Sequence, residues 1–422
     1  MSAIASRLSD SLDVTDWDAI ETDWQTRIME AVATDTPPSC VVRPRSIEEL
    51  SQVMSRSCEN GWRVLPTGQG SKLSWGGLAS GIDLVVSTAQ LNRVVEHAVG
   101  DFTVTVEPGL RVADLQCQLA EQGQFLAVDP AFADEASLGG LVATADTGSL
   151  RQRYGGLRDA LIGVQFVRYD GEVAKAGGRV VKNVAGYDLM KLMTGSYGSL
   201  GILSELTFRL YPSARNLRTV VLAGGVQAVE KAMADIRMSG LTPESLDAIA
   251  SGRTVTIVVR FQGVAEGVEE QSTRLKKIAT THGMSYEQME GDADAEFWTQ
   301  ARRVIRFDSV LCKVGLRPSG IPWLLELVDD VDLQGYARLH GGNGLGWIQL
   351  AQQDGLAEGV ERLRSHCQKN GGFLSLLQGP KALKQSTDVW GYSGNALGVM
   401  RDIKDKFDPQ RLLSPGRFVG GL

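Results

Sequence analysis

The spacing of apolar and polar residues changes along the chain near residue 216. Before that point, short apolar runs such as the alternating Phe102–Val106 are separated by glycine-rich turns, and this pattern predicts short strands. After it, strand-like runs and amphipathic helical runs alternate, which predicts an antiparallel sheet with helices on one face. The strand-like runs are 217–223, 254–261, 310–317, 336–340, 346–350 and 373–377, and the helical runs lie near 226–238, 264–282, 320–328 and 355–370.

Local signals add elements to the first part of the chain. Ser46 and Glu49 form a capping box before an apolar face, so we predict a helix there that Gly61 ends. Leu161–Arg168 and the run from residue 172 form a predicted hairpin.

The N-terminal segment is acidic and carries two tryptophans. Trp17 and Trp24 are seven residues apart, so they would share one face of a helix. Such a helix either packs on the main body or docks a partner. We place this helical extension at 1–34.

Composition narrows the class of protein. The chain has 422 residues and a net charge of -7, which argues against a nucleic-acid partner. Its five cysteines are scattered and form no CxxC pair, so no zinc or iron–sulfur ligand set is visible. No apolar run reaches the roughly 18 residues that span a bilayer, and the N-terminus lacks the apolar region of a secretory signal. The simplest expected location is the cytoplasm.

Three glycine-rich segments carry the candidate chemistry. The first follows a strand and comprises Pro66, Thr67, Gly68, Gln69, Gly70, Ser71 and Lys72. Consecutive backbone amides in such a turn form an anion-binding nest, and Lys72 adds a positive charge. The segment lacks the third glycine of a dinucleotide fingerprint and the Gly-Lys-Ser/Thr of a P-loop. Taken alone, it is also compatible with a structural turn.

The second and third segments have the same character. Glycine allows backbone to approach a ligand closely, so both are candidate binding loops. A glycine-eased packing site is the alternative for the second segment. Its candidate residues are Asp129, Pro130, Ser137, Leu138, Gly139, Gly140, Ala143, Thr144, Gly148 and Gly155. The third segment runs from Lys182 to Glu205, and its candidate residues are Gly195, Gly198, Gly201 and Ile202.

Together and in this order, the three segments resemble the FAD loops of the vanillyl-alcohol-oxidase-type, or PCMH-type, flavoproteins. The lead-in Lys182–Asp188 resembles most the GlcE branch, the FAD subunits of glycolate oxidases. The tail Phe407–Phe418 resembles the ending of the related 2-hydroxyacid dehydrogenases. In that superfamily the first loop cradles the FAD diphosphate, the second follows the diphosphate and the flavin edge, and the third lies near adenine and ribitol.

The resemblance implies an α+β fold with non-covalent FAD. Covalent members place histidine in the first loop or cysteine in the second, and neither is present here. We expect a PCMH-type FAD-binding domain of two subdomains at 35–215 and a ferredoxin-like α+β cap at 216–390. A C-terminal helix and tail at 391–422 would return to the FAD domain, and the flavin would lie between domain and cap.

The resemblance gives fewer catalytic residues. Related dehydrogenases hold a metal ion with a pair of histidines and an acid, but here only His340 stands at the matching position and Gly342 replaces the acid. We therefore expect no metal site. His340 is a candidate acid/base or a hairpin-turn histidine. Arg302 follows Trp298 with the spacing of the family's substrate arginine, and a solvated basic helix face is the alternative.

The implied function is that of an FAD subunit of a glycolate oxidase, or dehydrogenase, complex that oxidises glycolate to glyoxylate. Because the chain offers no cluster ligands, an iron–sulfur subunit would take the electrons, and a sister FAD subunit would complete the complex. Such partners would also hold the chain at the inner face of a membrane. Two alternatives stay open: a self-sufficient 2-hydroxyacid dehydrogenase and a non-catalytic flavin subunit.

Overall fold

The computed structural model describes residues 2–178, 186–251, 254–330 and 335–422. The chain divides into two compact units. Unit 1 consists of Met1–Asp146, Gly156–Pro212 and Tyr392–Leu422, and unit 2 of Thr147–Gly155 and Ser213–Gly391. The breaks at 212 and 391 lie beside the predicted boundaries at 215 and 390. The assignment of the nine residues 147–155 to unit 2 was not expected from the sequence.

Unit 1 contains two main sheets and a short strand pair. A four-stranded sheet has the order β1-β2-β4-β3, in which β2 and β3 run parallel to β4. An antiparallel sheet has the order β5-β6-β10-β8-β9, and β7 pairs with β11. The strands are β1 (Val14–Asp16), β2 (Cys40–Val42), β3 (Val64–Thr67), β4 (Leu84–Ser87), β5 (Val94–Ala98), β6 (Thr103–Val106), β7 (Gln124–Phe125), β8 (Leu161–Val167), β9 (Val173–Gly177), β10 (Ile202–Arg209) and β11 (Tyr211–Pro212).

Helices cover both sheets of unit 1. They are α1 (Ala3–Leu8), α2 (Thr22–Ala31), α3 (Ile47–Asn60), α4 (Val112–Ala120), α5 (Leu138–Thr144), α7 (Leu157–Ala160), α8 (Leu189–Met193) and α15 (Leu397–Phe407), while α6 (Arg151–Tyr154) belongs to unit 2. Ser46 caps α3 by accepting a hydrogen bond from the Glu49 backbone at 3.2 Å, as predicted. The predicted hairpin is confirmed by the antiparallel pairing of β8 with β9.

The N-terminal segment differs from its prediction. Trp17 begins a short 3₁₀ turn, whereas Trp24 lies on α2, so the two tryptophans do not share one helix. Between α1 and that turn, β1 pairs with β2 and adds an antiparallel edge to the four-stranded sheet. The sequence Val-Thr-Asp carries too short an alternation to reveal such a strand.

Unit 2 is built on one antiparallel sheet with the order β15-β12-β14-β13-β17-β18-β16-β19. The antiparallel α+β pattern follows the prediction, but two strands, β13 and β15, were missed because their polar residues obscure the alternation. The strands are β12 (Arg218–Gly224), β13 (Ser245–Ser251), β14 (Thr254–Phe261), β15 (Glu287–Glu290), β16 (Val310–Gly315), β17 (Tyr336–His340), β18 (Leu345–Leu350) and β19 (Phe373–Gln378).

One face of this sheet carries the core of unit 2. Alternate residues of neighbouring strands, such as Leu246 and Ala248 on β13 and Leu339 on β17, are buried with apolar residues of the helices. The helices of unit 2 besides α6 are α9 (Val226–Met238), α10 (Ala265–Thr281), α11 (Asp292–Arg303), α12 (Ile321–Asp330), α13 (Leu356–Lys369) and α14 (Lys381–Ser386). Because side chains alternate along a strand, the residues between these core positions point to the other face.

Candidate functional site

A cavity of about 700 Å³, part of it open to solvent, lies within unit 1. All three predicted glycine loops contribute to its walls. The lining residues are Pro66, Thr67, Gly68, Gly70, Ser71, Lys72, Leu73, Thr88, Pro108, Ser137, Gly139, Gly140, Ala143, Thr144, Ser196, Tyr197, Gly198, Gly201, Ile202, Leu203 and Arg417.

The first loop follows β3 and is held by its neighbour β4 and the turn after it. The Ser87 hydroxyl donates to the Gly68 carbonyl at 3.1 Å, and the Thr88 hydroxyl donates to the Thr67 carbonyl at 3.3 Å. A Cβ at Gly68 would lie 2.0 Å from the Ser137 hydroxyl oxygen, so only glycine fits. The first loop therefore packs directly against the start of the second.

The second loop enters α5. Ser137 caps this helix by accepting a hydrogen bond from the Gly140 backbone at 3.3 Å. A Cβ at Gly139 would lie 2.7 Å from the Pro108 side chain. The backbone at Gly139 therefore lies closer to its neighbours than a residue with a Cβ could, and this part of the cavity wall consists of backbone.

The third loop is tied to α5 through the backbone. Gly195 donates to the Val142 carbonyl at 2.9 Å, and Tyr197 donates to the Ala143 carbonyl at 2.8 Å. Tyr197 has a φ of 54°, which is uncommon for a bulky residue and costs free energy on the order of 1–3 kcal/mol. The surrounding structure holds Tyr197 in this conformation, and its ring is buried beside the cavity.

Two buried cations line the cavity. Lys72 is 5% exposed, and its Nζ lies 3.2 Å from Oδ2 of Asp146, which is fully buried. Burial lowers the pKa of Lys72, and the Asp146 carboxylate opposes that shift. Asp146 also accepts a hydrogen bond from the Ala131 backbone at 2.9 Å. This pair places a balanced charge on a wall that is otherwise mostly small and apolar.

The second cation, Arg417, comes from the C-terminal tail. Its Nη2 donates to the carbonyls of Leu73 at 2.6 Å and Trp75 at 3.1 Å, directly after the first loop. Burial lowers the pKa of Arg417 to about 10, and the nearby Tyr197 opposes that shift. The side chain thus fixes the far end of the first loop from within the cavity.

These features fit a flat, phosphate-bearing cofactor such as FAD. The walls consist of backbone and glycine positions that a Cβ would fill. Arg417 supplies positive charge for an anion, and Lys72, whose charge Asp146 balances, adds an ammonium group. Most of the residues predicted to bind FAD line this cavity, and their assignment as ligands stays a prediction.

Some predicted residues lie elsewhere. Gln69 points away from the lining set and donates to the Gly109 carbonyl at 3.0 Å. Gly148 and Gly155 belong to unit 2. The predicted residues that do not line the cavity are Gln69, Asp129, Pro130, Leu138, Gly148, Gly155 and Gly195. The lead-in residues Lys182–Ala185 of the third loop lie outside the described residues.

The sequence did not reveal several lining residues. They are Leu73, Thr88, Pro108, Ser196, Tyr197, Leu203 and Arg417. Arg417 had a signal, since it stands in the tail that resembles the superfamily ending, and Tyr197 stands between two glycines of the third loop. Thr88 and Pro108 could be recognised only from the fold.

A second candidate site lies within unit 2, on the sheet face opposite its core. His340 Nδ1 lies 2.7 Å from Oδ1 of Asp247, while Arg338 Nε donates to Oδ2 of Asp247 at 2.8 Å. The Ser149 hydroxyl also donates to Asp247 and accepts from Arg338 Nη2 at 2.6 Å. His340 is therefore part of a buried network instead of a lone turn residue.

Charge explains the state of this network. Burial alone would raise the pKa of Asp247, but Arg338 and His340 together hold it well below its usual value. Asp247 is therefore an ionised carboxylate, and it accepts every hydrogen bond that it makes. His340 is 2% exposed, and its Nε2 makes no hydrogen bond with the residues that the structure describes.

Arg302 lies on α11, so the predicted helix is present. Its Nη2 donates to the Thr299 hydroxyl at 3.3 Å, and the side chain is half-buried. At Gly342 a Cβ would lie 1.8 Å from Gln152 Oε1, so a side chain at the position of the missing acid would require the flexible end of Gln152 to move. Within the described ranges, no three His, Cys, Asp or Glu side chains are grouped to hold a metal ion.

Similar proteins of known type support the interpretation of the cavity as an FAD site. A family model described as an FAD binding domain matches residues 38–177. The chain is 23% identical to glycolate oxidase subunit GlcD of Bacillus subtilis (strain 168), over 90% of this chain and 88% of that protein. It is 26% identical to glycolate oxidase subunit GlcE of Escherichia coli (strain K12), over 78% of this chain and 85% of that protein.

The fold has solved counterparts. The 4-ethylphenol oxidase from Gulosibacter chungangensis superposes with a TM-score of 0.76 and 16% identity, over 99% of this chain and 97% of that one. Among the described residues, no helix is long and apolar enough to cross a membrane. The glycine-walled cavity, the matching FAD binding domain and this fold agree with one another, and the chain is an FAD-dependent oxidoreductase with a PCMH-type FAD-binding fold.

Proposed function

We propose that this chain is the FAD-binding subunit of a glycolate oxidase, or dehydrogenase, complex and takes part in the oxidation of glycolate to glyoxylate. The cavity within unit 1 carries the proposal, because its glycine walls and buried cations fit FAD. The similarity to two subunits named for glycolate oxidase supports the substrate. A 2-hydroxy acid is the broader substrate class.

The chain's own residues would hold the cofactor. Backbone amides of the first loop and the charge of Lys72 would bind the diphosphate, while the α5 entry at Ser137–Gly140 would line its path. The third loop, from Gly195 to Ile202, would pack against the rest of the cofactor. FAD, when bound, would supply the acceptor for the hydride, and with it the two electrons, that leaves the substrate carbon.

His340 and Arg302 are the proposed residues for substrate chemistry. His340 would take the proton of the substrate hydroxyl, a role that suits a histidine paired with a carboxylate. Arg302 would hold the substrate carboxylate, for which a guanidinium has the matching bidentate geometry. The proposed mechanism includes no metal ion.

Partners complete the proposal. The sequence has no Cys ligand set for an iron–sulfur cluster, so an iron–sulfur subunit would accept the electrons, and a sister FAD subunit would belong to the same complex. Such partners would hold the chain at the cytoplasmic face of a membrane. The acidic N-terminal segment with Trp17 and Trp24 is the proposed contact region.

One alternative rests on a specific observation. The buried His340–Asp247 pair gives this chain a proton acceptor of its own, which favours a self-sufficient 2-hydroxyacid dehydrogenase. The other alternative, a flavin subunit without turnover, predicts normal complex assembly after the first loop is broken.

Anaerobic reduction of the purified full-length chain separates these functions. The visible spectrum is recorded before and after addition of glycolate, with D-lactate and D-2-hydroxyglutarate as comparison substrates. Bleaching by glycolate alone means that the chain oxidises glycolate itself, and bleaching by another acid reassigns the substrate. A flavin band that stays oxidised indicates a subunit that needs its partners, and absence of FAD after reconstitution contradicts the proposal.

A further inference from the structure

We propose that Asp247 is a positioning residue that fixes His340 with its proton on Nδ1, so that Nε2 is free to accept the hydroxyl proton of a 2-hydroxy acid. The inference rests on the proposed function for the identity of the substrate. It extends that function by naming the residue that prepares the base and the ring atom that reacts. The observations that carry it lie entirely within unit 2.

The sheet register brings the two residues together. Asp247 on β13 and His340 on β17 are directly opposite each other in an antiparallel pair. Their strand neighbours, Ala248 and Leu339, point into the core on the other face. Side chains of residues paired in this way lie close enough to interact without reorganisation. The strand register therefore places the two side chains within reach of each other, and Nδ1 lies 2.7 Å from Oδ1.

A second layer of contacts fixes Asp247. Its Oδ2 accepts hydrogen bonds from Arg338 Nε at 2.8 Å and from the Ser149 hydroxyl. Arg338 also donates to the Ala301 carbonyl at 3.1 Å and lies over the Trp298 ring, with its guanidinium carbon 5.2 Å from the ring centroid. These contacts leave Oδ1 directed at the imidazole, and the Arg338 charge keeps the carboxylate ionised.

The tautomer of His340 follows from this arrangement. An ionised carboxylate can only accept a hydrogen bond, so Nδ1 must carry a proton. In the neutral ring Nε2 then holds a lone pair. This atom is buried and makes no hydrogen bond with the described residues, a condition that is costly unless another group satisfies it. A substrate hydroxyl is the group that the proposed function supplies.

The proton balance is simple. The O–H bond of the substrate breaks, its proton binds to Nε2, and the oxygen becomes the carbonyl oxygen of the 2-oxo acid. The ring becomes an imidazolium, whose charge the Asp247 carboxylate stabilises across the Nδ1 hydrogen bond. The C–H hydrogen leaves with its electron pair by the chemistry that FAD supplies when bound.

Asp247→Asn in the full-length chain tests the inference with two readouts. The first is ¹⁵N-histidine NMR, in which the His340 signals are assigned by their loss in His340→Gln among the four histidines of the chain. We expect an Nδ1-protonated ring with bare Nε2 in the wild type, and loss of that single tautomer in Asp247→Asn. The second readout is anaerobic flavin reduction by a 2-hydroxy acid, which should slow by roughly 10²- to 10⁴-fold in its limiting rate.

Asp294→Asn is the matched control. Asp294 is 1% exposed and is bonded to the Thr219 hydroxyl and to Arg260, so it is a similarly buried carboxylate paired with an arginine. It has no contact with His340 among those described. The control should keep the His340 tautomer, the limiting rate and the substrate concentration for half-maximal rate. If Asp247→Asn and Asp294→Asn lose the same amount of rate, Asp247 has only a structural role, and the inference is overturned.

The two readouts separate the inference from the proposed function. If the wild-type chain binds no FAD after reconstitution, the proposed function fails, and if its flavin stays oxidised with every 2-hydroxy acid, the chain needs its partners for turnover. In both cases the positioning by Asp247 is still judged by NMR. An Nε2-protonated ring in the wild type, or an unchanged tautomer in Asp247→Asn, overturns the inference even if glycolate is oxidised rapidly. Loss of the tautomer together with a slower limiting rate and unchanged half-saturation supports it.

Discussion

The cavity of unit 1 and the His340 network of unit 2 use opposite kinds of surface. The cavity presents backbone and glycine, held by bonds such as Gly195 to Val142 at 2.9 Å. The network presents charged side chains on one face of a sheet, with Asp247 at its centre. The backbone surface of the cavity suits a large, flat ligand that is bound through its shape and its phosphates. The side-chain network suits proton transfer to or from a single atom.

This difference predicts that binding and turnover fail separately. Substitutions in the cavity change the amount of bound FAD by filling space or removing charge, since the ligand contacts the backbone there. Substitutions in the network leave binding intact and change the rate, since the side chains there control one proton. Four measurements test whether binding and turnover are separate in this way.

Gly70→Trp should abolish FAD binding, the largest effect that we expect. Gly70 has a φ of 81°, and a Cβ there would lie 3.1 Å from the Trp24 ring, so a bulky side chain must disrupt the first loop. Flavin absorbance after reconstitution measures the loss. Gly61→Trp is the control, because Gly61 also has a positive φ of 66° but no atom lies within 4 Å of its Cβ. Full flavin loading in Gly70→Trp would contradict the loop assignment.

His340→Gln should keep FAD bound but slow flavin reduction by about 10²- to 10⁴-fold, because it removes the proton acceptor. Anaerobic rapid mixing with substrate measures the rate. The control is His282→Gln, since His282 is also paired with an aspartate, Asp235, at 2.7 Å, but that carboxylate is half exposed. Reduction at the wild-type rate in His340→Gln would remove His340 from the chemistry.

Arg417→Gln should weaken FAD binding by about tenfold or more, because hydrogen bonds from a charged donor contribute about 1.5–3 kcal/mol each. The side chain donates to the Leu73 and Trp75 carbonyls at the end of the first loop. Titration of the apoprotein with FAD gives the dissociation constant. Arg411→Gln in the same tail removes only an exposed ion pair with Asp405 and should leave that constant unchanged. Equal affinities for all three proteins would remove the tail from cofactor binding.

The smallest effect concerns acid stability. The pKa of Asp247 is lower in the folded protein than in the unfolded chain, so its ionised form stabilises the fold above the unfolded pKa near 3.8. This contribution is lost as the pH falls below that value. The free energy of unfolding should therefore fall less steeply between about pH 5 and pH 2 in Asp247→Asn than in the wild type. Denaturant titrations at each pH give the free energy of unfolding. If this free energy falls equally steeply with decreasing pH in both proteins, the Asp247 carboxylate is not held ionised.

Sequence reasoning recovered the cavity better than the network because glycine loops are local. The first loop, Pro66–Lys72, lies in one continuous segment, and most of its residues line the cavity. The helix at 47–60 and the hairpin of β8 and β9 also followed from local caps and turns. Gln69 does not line the cavity and donates to the Gly109 carbonyl. A sequence does not show which side of a turn a side chain takes.

The sequence alone was enough for the α+β class, the three glycine loops that line the cavity and the candidate histidine, since each depends on residues that are close along the chain. Only the tertiary structure decided what surrounds His340. Asp247 and His340 are separated by 93 positions, and Ser149 lies a further 98 positions before Asp247. The register of β13 and β17 brings Asp247 and His340 together, and the segment Thr147–Gly155, which belongs to unit 2, brings in Ser149. Neither leaves a periodic signal in the sequence, because pairing between distant strands is fixed by packing of the whole sheet.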